Sequence, residues 1–409
     1  DHLRRHTNPP VFLISGAVIL AFVVAGTVFT GATGEAASAV QRFISTYFGW
    51  FYVLSVSFFL IFVLGLLFTR YGRVRLGGDD SRAEFSTWSW FAMLFTAGMG
   101  IGLVFYGVAE PMAHYLAPPV GEAESAQAAQ EAMHLSFFHW GLHPWAIYIV
   151  LGLSLGYFAF RRGLPLRPAS AFYPLIGERV NGWVGDLIDI LAVFGTVFGL
   201  ATSLGIGATQ INAGLESLFG IPSNIGVQLL IILLITSITA TSVLLGIRRG
   251  IRRLSVINMY LAMALALFVF LTGPTIFILN TFVGSVGYYF QNLIGTSFQM
   301  FTLNEEAAAW QTSWTIFYWG WWISWAPFVG MFIARISRGR TIRQFIVGTL
   351  LAPTGASFGW FSIFGGAALH SELFGEGGIA QSPAETALFA LLSQLPVAAI
   401  LITLACALG

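Results

Sequence analysis

Two runs of large aromatic residues hold the chemistry that most of this chain lacks. In His139-Trp140-Gly141-Leu142-His143-Pro144-Trp145-Ala146-Ile147-Tyr148, three rings recur at spacings of five and three. At about 100° per residue, Trp140, Tyr148 and Trp145 fall at about 0°, 80° and 140° on one helical face. In Tyr318-Trp319-Gly320-Trp321-Trp322-Ile323-Ser324-Trp325, four indoles share an arc of about 160°. Six of the chain's 13 tryptophans therefore sit on two faces. Ring faces attract cations, and a box of them suits a quaternary ammonium ion, which has no hydrogen to donate; each contact contributes about 0.5–2 kcal/mol. The competing reading is a belt at the membrane interface, where the amphipathic indole also gathers. Belt residues cluster at the ends of spans, whereas Trp319 to Trp325 lie in the middle of theirs.

A second stretch is backbone chemistry. Thr96-Ala97-Gly98-Met99-Gly100-Ile101-Gly102 places a glycine at every second position inside an apolar segment. Each glycine costs a helix about 1 kcal/mol relative to alanine, so the backbone is expected to unwind there. Unwound backbone at membrane depth must face protein or a water-filled cavity, where freed N–H groups hold anions and freed carbonyls hold cations. The alternative is close helix packing through the pair Gly98 and Gly102, a G-x-x-x-G spacing. Taken together, the broken helix would hold a carboxylate and the aromatic box a methylated ammonium. A ligand with both ends is a zwitterion of the betaine type.

These residues need a membrane to position them. Of 409 residues, 56% are hydrophobic and only 9% charged, with a mean hydropathy of +0.79, against about 25% charged in a soluble chain. The net charge of +1 points to no nucleic-acid partner. The single cysteine, Cys406, excludes a disulfide framework and a zinc cluster. Ten spans are expected, near 10–31, 47–69, 88–108, 133–160, 186–210, 225–246, 254–273, 312–334, 342–369 and 386–409. The chain has 19 arginines and no lysine, and 18 of them (all but Arg42) collect at the N-terminus and after the even-numbered spans up to the eighth. By the positive-inside rule, the N-terminus is cytoplasmic. Between the seventh and eighth spans, an outer interfacial helix is expected near 283–300, and residues 164–184 read as a cytoplasmic re-entrant or surface helix. No linker divides the chain. The apolar run closing at Gly409 has no basic stop, which predicts a fragment of a longer protein.

The other polar residues support weaker readings. Glu110-Pro111 is expected to end the third span at the outer face, because proline terminates helices. His134, His139 and His143 read as hydrogen-bonded structural histidines, with a proton relay as the alternative. Asp186 and Asp189 are expected to cap or pair at the inner end of the fifth span. Within that span, Thr196, Thr202 and Ser203 could ligate sodium or bond back to their own helix. An intramembrane enzyme would need a nucleophile–base pair or a metal cluster, and the sequence offers only isolated histidines, so neither an enzyme nor a resident metal or other cofactor is expected.

On the glycine stretch, Glu110-Pro111, Trp140…Trp145…Tyr148, and the run Trp319 to Arg340, the chain closely resembles the betaine/carnitine/choline transporter family from about Asn8 onward. Within it, the chain looks most like the glycine betaine and choline type. The resemblance implies an all-α integral membrane protein with the LeuT-type 5+5 inverted-repeat fold and two extra N-terminal helices. Its parts would be a stub at 1–9, two peripheral helices and a loop over 10–87, and the first repeat over 88–273. An outer helix or loop over 274–311 and the start of the second repeat over 312–409 would follow. It implies a homotrimer in a bacterial inner membrane that imports a quaternary amine by alternating access, with sodium as coupling ion. A choline or carnitine carrier, driven by protons or by exchange, is the alternative. Trp140, Trp145, Tyr148 and Trp322 match the family's aromatic box, Trp325 an inward exit path, and Met99, Gly100 and Gly102 the substrate stretch. Thr96 and Met99 match positions whose carbonyls hold sodium, and Thr196 one of two threonines proposed for a second sodium position, with Leu200 one turn later. Glycine at 102, where choline carriers often have aspartate, favours a betaine.

Overall fold

The computed structural model describes residues 7–98, 100–244 and 252–397. Among them the regular structure is helical with no β-strand. In order, the helices are α1 (Pro9–Val28), α2 (Thr30–Phe68), α3 (Thr87–Gly98), α4 (Ile101–Leu116), α5 (Ala126–Trp140), α6 (Leu142–Arg162), α7 (Trp183–Phe219) and α8 (Ile225–Leu244). They continue with α9 (Arg252–Thr272), α10 (Thr275–Ser297), α11 (Glu305–Gln311), α12 (Phe317–Ile336), α13 (Ile342–Phe374) and α14 (Ala384–Ser393).

Among the described residues, seven helical segments are long and apolar enough to cross a bilayer, and an eighth follows if Val256–Thr272 and Thr275–Ser297, bent by 111°, form one span. Of the apolar windows in Pro9–Val28 and Ile225–Leu244, only 6% and 0% are buried. Apolar faces this large suit lipid as their surroundings. The expected third span is divided into α3 and α4, of 12 and 16 residues, each shorter than the roughly 20 that a crossing needs. The tenth is represented by α14, and its remainder lies mostly outside the described residues. Residues 168–181 form short 3-10 turns around one helical turn, Tyr173–Ile176. A helix stands where the outer one was expected, but it starts earlier, at Thr275.

The chain divides into two compact units. The first comprises Asp1–Phe85, His143–Leu200 and Phe298–Thr349. Three of its arginine-bearing loops are tied together. Leu76 N–H donates to the Arg340 carbonyl at 2.8 Å, and Gly339 N–H to the Leu76 carbonyl at 2.8 Å. The Arg335 guanidinium grips both Glu84 carboxylate oxygens at 2.7 and 3.2 Å. Arg161 donates to the Gly77 carbonyl and to Asp79. Gly339 has φ +84°, and a Cβ there would run into the Arg82 backbone, so the turn requires glycine. Nearby, Arg167 pairs with Asp189 at 3.2 Å and Asn8 donates to Asp186 at 2.6 Å, the pairing expected of the two aspartates.

The second unit comprises Ser86–Leu142, Ala201–Ser297 and Leu350–Gly409. Here α4 packs on α5 and α14, and α3 on α9. The Trp360 ring of α13 lies over Gly107, where a Cβ would come within 2.5 Å of Nε1. One turn on, Pro111 fills the notch at Gly365, whose own Cβ would sit 2.7 Å from the proline ring. Small residues here let large rings approach the helix backbone.

Candidate functional site

In the first unit, α6 and α12 bring three of the predicted box rings together. Tyr148 stands edge-on to Trp145, with centroids 5.4 Å apart and planes at 75°, and edge-on to Trp322 at 6.4 Å and 76°. All three are buried. Behind Trp322 the rings stack: Trp321 lies 4.8 Å away at 10°, and Tyr318 5.6 Å away at 23°. Trp319, fully buried, stacks on His143 at 5.7 Å. The result is a corner of perpendicular ring faces backed by a rigid stack. Such faces present the negative side of the ring quadrupole.

Trp325 has a different setting. A Cβ on Gly199 of α7 would lie 2.7 Å from Cδ1 and Nε1 of its indole, and one on Gly195 would lie 3.3 Å from the Ser324 carbonyl. Two glycines one turn apart thus make a groove for α12. Thr196 is half-buried between them in sequence, and Leu200 is exposed.

In the second unit, the glycine stretch does interrupt its helix. α3 ends at Gly98, and Gly100 is extended (φ −91°, ψ −177°) before α4 begins at Ile101. Gly100 is exposed and Gly102 half-buried. Met99 and the Thr96 side chain lie outside the described residues.

Trp140, the fourth ring of the predicted box, belongs to this unit. It is the last residue of α5, and Gly141 leaves helical geometry there (φ −93°, ψ −129°). A Cβ on Gly141 would strike the Phe137 carbonyl and the Phe358 ring. The angular arithmetic that placed Trp140 with Trp145 and Tyr148 assumed one continuous helix, and this break removes its basis.

The indole of Trp140 meets a residue that the sequence reading misplaced. Glu110 does not end a span: α4 continues to Leu116 with Pro111 inside it, and Glu110 is fully buried. Trp140 Nε1–H donates to Glu110 Oε2 at 2.7 Å. The other carboxylate oxygen, Oε1, meets His139 Nδ1 at 2.7 Å and His114 Nε2 at 3.3 Å. Both histidines are fully buried, and the network assigns their facing nitrogens as donors. Tyr106 and Phe361 flank the indole at 6.0 and 5.8 Å. Tyr106, Glu110 and His114 follow one another every fourth residue on α4, a stripe readable in the sequence. Glu110, His114 and His139 also have the chemistry of metal ligands, with ligand atoms within 4.8 Å of one another. Here, however, both imidazoles spend a nitrogen on one oxygen and the indole takes the other, so the set closes around a single carboxylate. His134 is likewise hydrogen-bonded, to Thr296 at 2.8 Å.

Comparison with known proteins gives one consistent match. The BCCT profile, for betaine/carnitine/choline family transporters, matches residues 10–409. The glycine betaine transporter OpuD of Bacillus subtilis is 48% identical over 388 residues, 95% of this chain and 76% of that protein. A glycine betaine transporter of Acinetobacter baylyi is 45% identical, covering 97% of this chain and 61% of its own length. The osmo-dependent choline transporter BetT2 of the same organism is 43% identical, at 97% and 58%. The chain thus spans about three-fifths to three-quarters of the length of these relatives.

Proposed function

The chain belongs to the betaine/carnitine/choline transporter family, a family of transporters and not of enzymes, and from that premise we propose that it imports a quaternary-ammonium osmolyte, glycine betaine foremost. The observation that carries the proposal is the ring corner of Trp145, Tyr148 and Trp322, buried and perpendicular at 5.4 and 6.4 Å. It is the kind of surface that binds a methylated ammonium without hydrogen bonds. Trp140 is assigned to the substrate on its match to the family's motif, and Trp325 to the inward exit path on the same ground. Gly100, Gly102 and Met99 are assigned to the carboxylate end, supported by the extended backbone at Gly100. The homologues named for glycine betaine and for choline support the ligand class, and glycine at 102 supports a zwitterion, since an unpaired carboxylate at membrane depth is costly.

The wider scheme belongs to the same proposal. The chain adopts the LeuT-type inverted repeat and works by alternating access as a homotrimer in a bacterial plasma membrane, N-terminus inside. The arginine loops that interlock within the first unit support a common side for those loops. Sodium is the coupling ion, held by carbonyls at Thr96 and Met99, with Thr196 as a weaker second candidate; this reading rests on the sequence match. Uptake of labelled glycine betaine and labelled choline into proteoliposomes, with and without a sodium gradient, tests the scheme. Sodium-dependent betaine uptake with slower choline uptake is expected. Choline uptake indifferent to sodium would overturn both the use of Gly102 and the sodium assignment.

A further inference from the structure

Burying a carboxylate inside a membrane-spanning unit is costly, and such residues mark ion relays, substrate paths or counter-ions. Glu110 has no exposed surface and three donors: His139 at 2.7 Å, His114 at 3.3 Å and the Trp140 indole at 2.7 Å. The two imidazoles meet Oε1, and the indole N–H donates to Oε2. A short bond from an N–H to an anionic oxygen fixes the ring's position. It also polarises the donor, pushing electron density into the ring, as chained hydrogen bonds polarise one another. The electron-richer face then attracts a cation more strongly.

We propose that Glu110 is a positioning and specificity-determining residue that acts on the quaternary ammonium through Trp140, fixing the indole and making its face more electronegative. The two histidines serve this by holding the carboxylate in place. The inference deepens the proposed function and rests on its assignment of Trp140 to the substrate. It also supplies a negative charge on the substrate's side of the chemistry where Gly102 supplies none. A zwitterion carrier can thus reinforce its ammonium site without placing a carboxylate in contact with the ligand.

The test measures binding and uptake of labelled glycine betaine and labelled choline by Glu110→Gln, Glu110→Asp, Trp140→Leu, Trp140→Phe and Glu110→Gln/Trp140→Phe. Glu110→Gln keeps an acceptor but loses the charge, and is expected to raise Kd and KM about tenfold while the maximal rate stays near wild type. Glu110→Asp keeps the charge and recovers most of the affinity. In Trp140→Phe, which has no N–H to donate, adding Glu110→Gln changes Kd less than about twofold, because the two residues act as one unit. Independent multiplication of the two effects overturns the proposal. So does Glu110→Asp binding as poorly as Glu110→Gln, or a failure of both Glu110 variants to fold, which would make the carboxylate an element of the fold. If Trp140→Leu binds normally, the assignment of Trp140 fails and the inference falls with it. If Trp140→Leu loses binding while Glu110→Gln keeps it, the inference alone fails.

Discussion

Replacing Trp322 by leucine removes one face of the aromatic corner, and two separate free energies go with it. The first belongs to the ligand. A desolvated cation–π contact contributes about 2 kcal/mol, and at about 1.4 kcal/mol per decade its loss weakens binding roughly 30-fold. The second belongs to the fold. Trp322 is only 8% exposed and touches Trp321, Tyr318 and Tyr148 at 4.8, 5.6 and 6.4 Å. Three ring contacts at about 0.5–1.5 kcal/mol each amount to about 1.5–4.5 kcal/mol of stability, before any cavity forms.

Ligand chemistry separates the two. 3,3-Dimethylbutanoate has the shape of glycine betaine with carbon in place of nitrogen, so it carries no positive charge. Competition against labelled glycine betaine, with the melting temperature of each variant measured alongside, reads both losses. Trp322→Leu is expected to weaken betaine roughly 30-fold and the carbon analogue far less. Trp322→Phe retains a ring and is expected to stay within about tenfold of wild type. Equal losses for the two ligands would mean that the corner recognises shape and not charge. An unchanged betaine affinity in Trp322→Leu would remove the corner from the binding site altogether.

Four further substitutions test the packing within the two units. Gly107→Ala forces a methyl to 2.5 Å from Trp360 Nε1, an overpacking cost of about 1–3 kcal/mol; an unaltered melting temperature would contradict the close approach of α13 to α4. Gly339→Ala meets both a positive φ and the Arg82 backbone, so it is expected to loosen the 77–82 loop, read as faster proteolysis there; a cleavage rate equal to wild type would refute it. His139→Ala leaves a buried carboxylate short of its 2.7 Å partner and should cost about 3–5 kcal/mol, more than His114→Ala, whose contact is 3.3 Å. The reverse order of melting temperatures would show that these distances do not rank the bonds.

What the sequence made legible here was periodic or local. Tryptophans and tyrosines at helical spacing announced the α6 and α12 rings, and alternate glycines announced the interruption between α3 and α4. The aspartates at 186 and 189 found partners, as their place at the inner end of the fifth span suggested. Two failures have specific causes. Helical arithmetic across 140–148 presumes a helix that continues, whereas Gly141 and Pro144, which has no N–H for the Trp140 carbonyl, mark a stop; a Cβ at Gly141 would also strike the Phe358 ring, from more than 200 residues away. Glu110 was read as a helix end because proline follows it. The rule treats proline as a breaker, but Gly365 on another helix receives the proline ring, and α4 runs on. The stripe Tyr106, Glu110, His114 was visible, yet two of the donors to its carboxylate, His139 and Trp140, stand on α5, which no local pattern places opposite.

The two clusters differ in what stability alone can explain. The Trp321–Trp322–Tyr318 stack would be favourable in any apolar interior, since large rings gain from burial and from one another. Its presence is compatible with a purely structural role, and only the perpendicular arrangement of Trp145, Tyr148 and Trp322 argues for a ligand. Glu110 is the opposite case. Taking a carboxylate out of water costs several kcal/mol, and the attraction of its partners does little more than offset that. Apolar residues of similar volume in place of a buried charged network are often neutral or stabilising. Stability is therefore a poor reason for a carboxylate at this depth. What the charge uniquely provides is a fixed, oriented indole with a more negative face, so the reason for its presence is to be sought in what Trp140 binds.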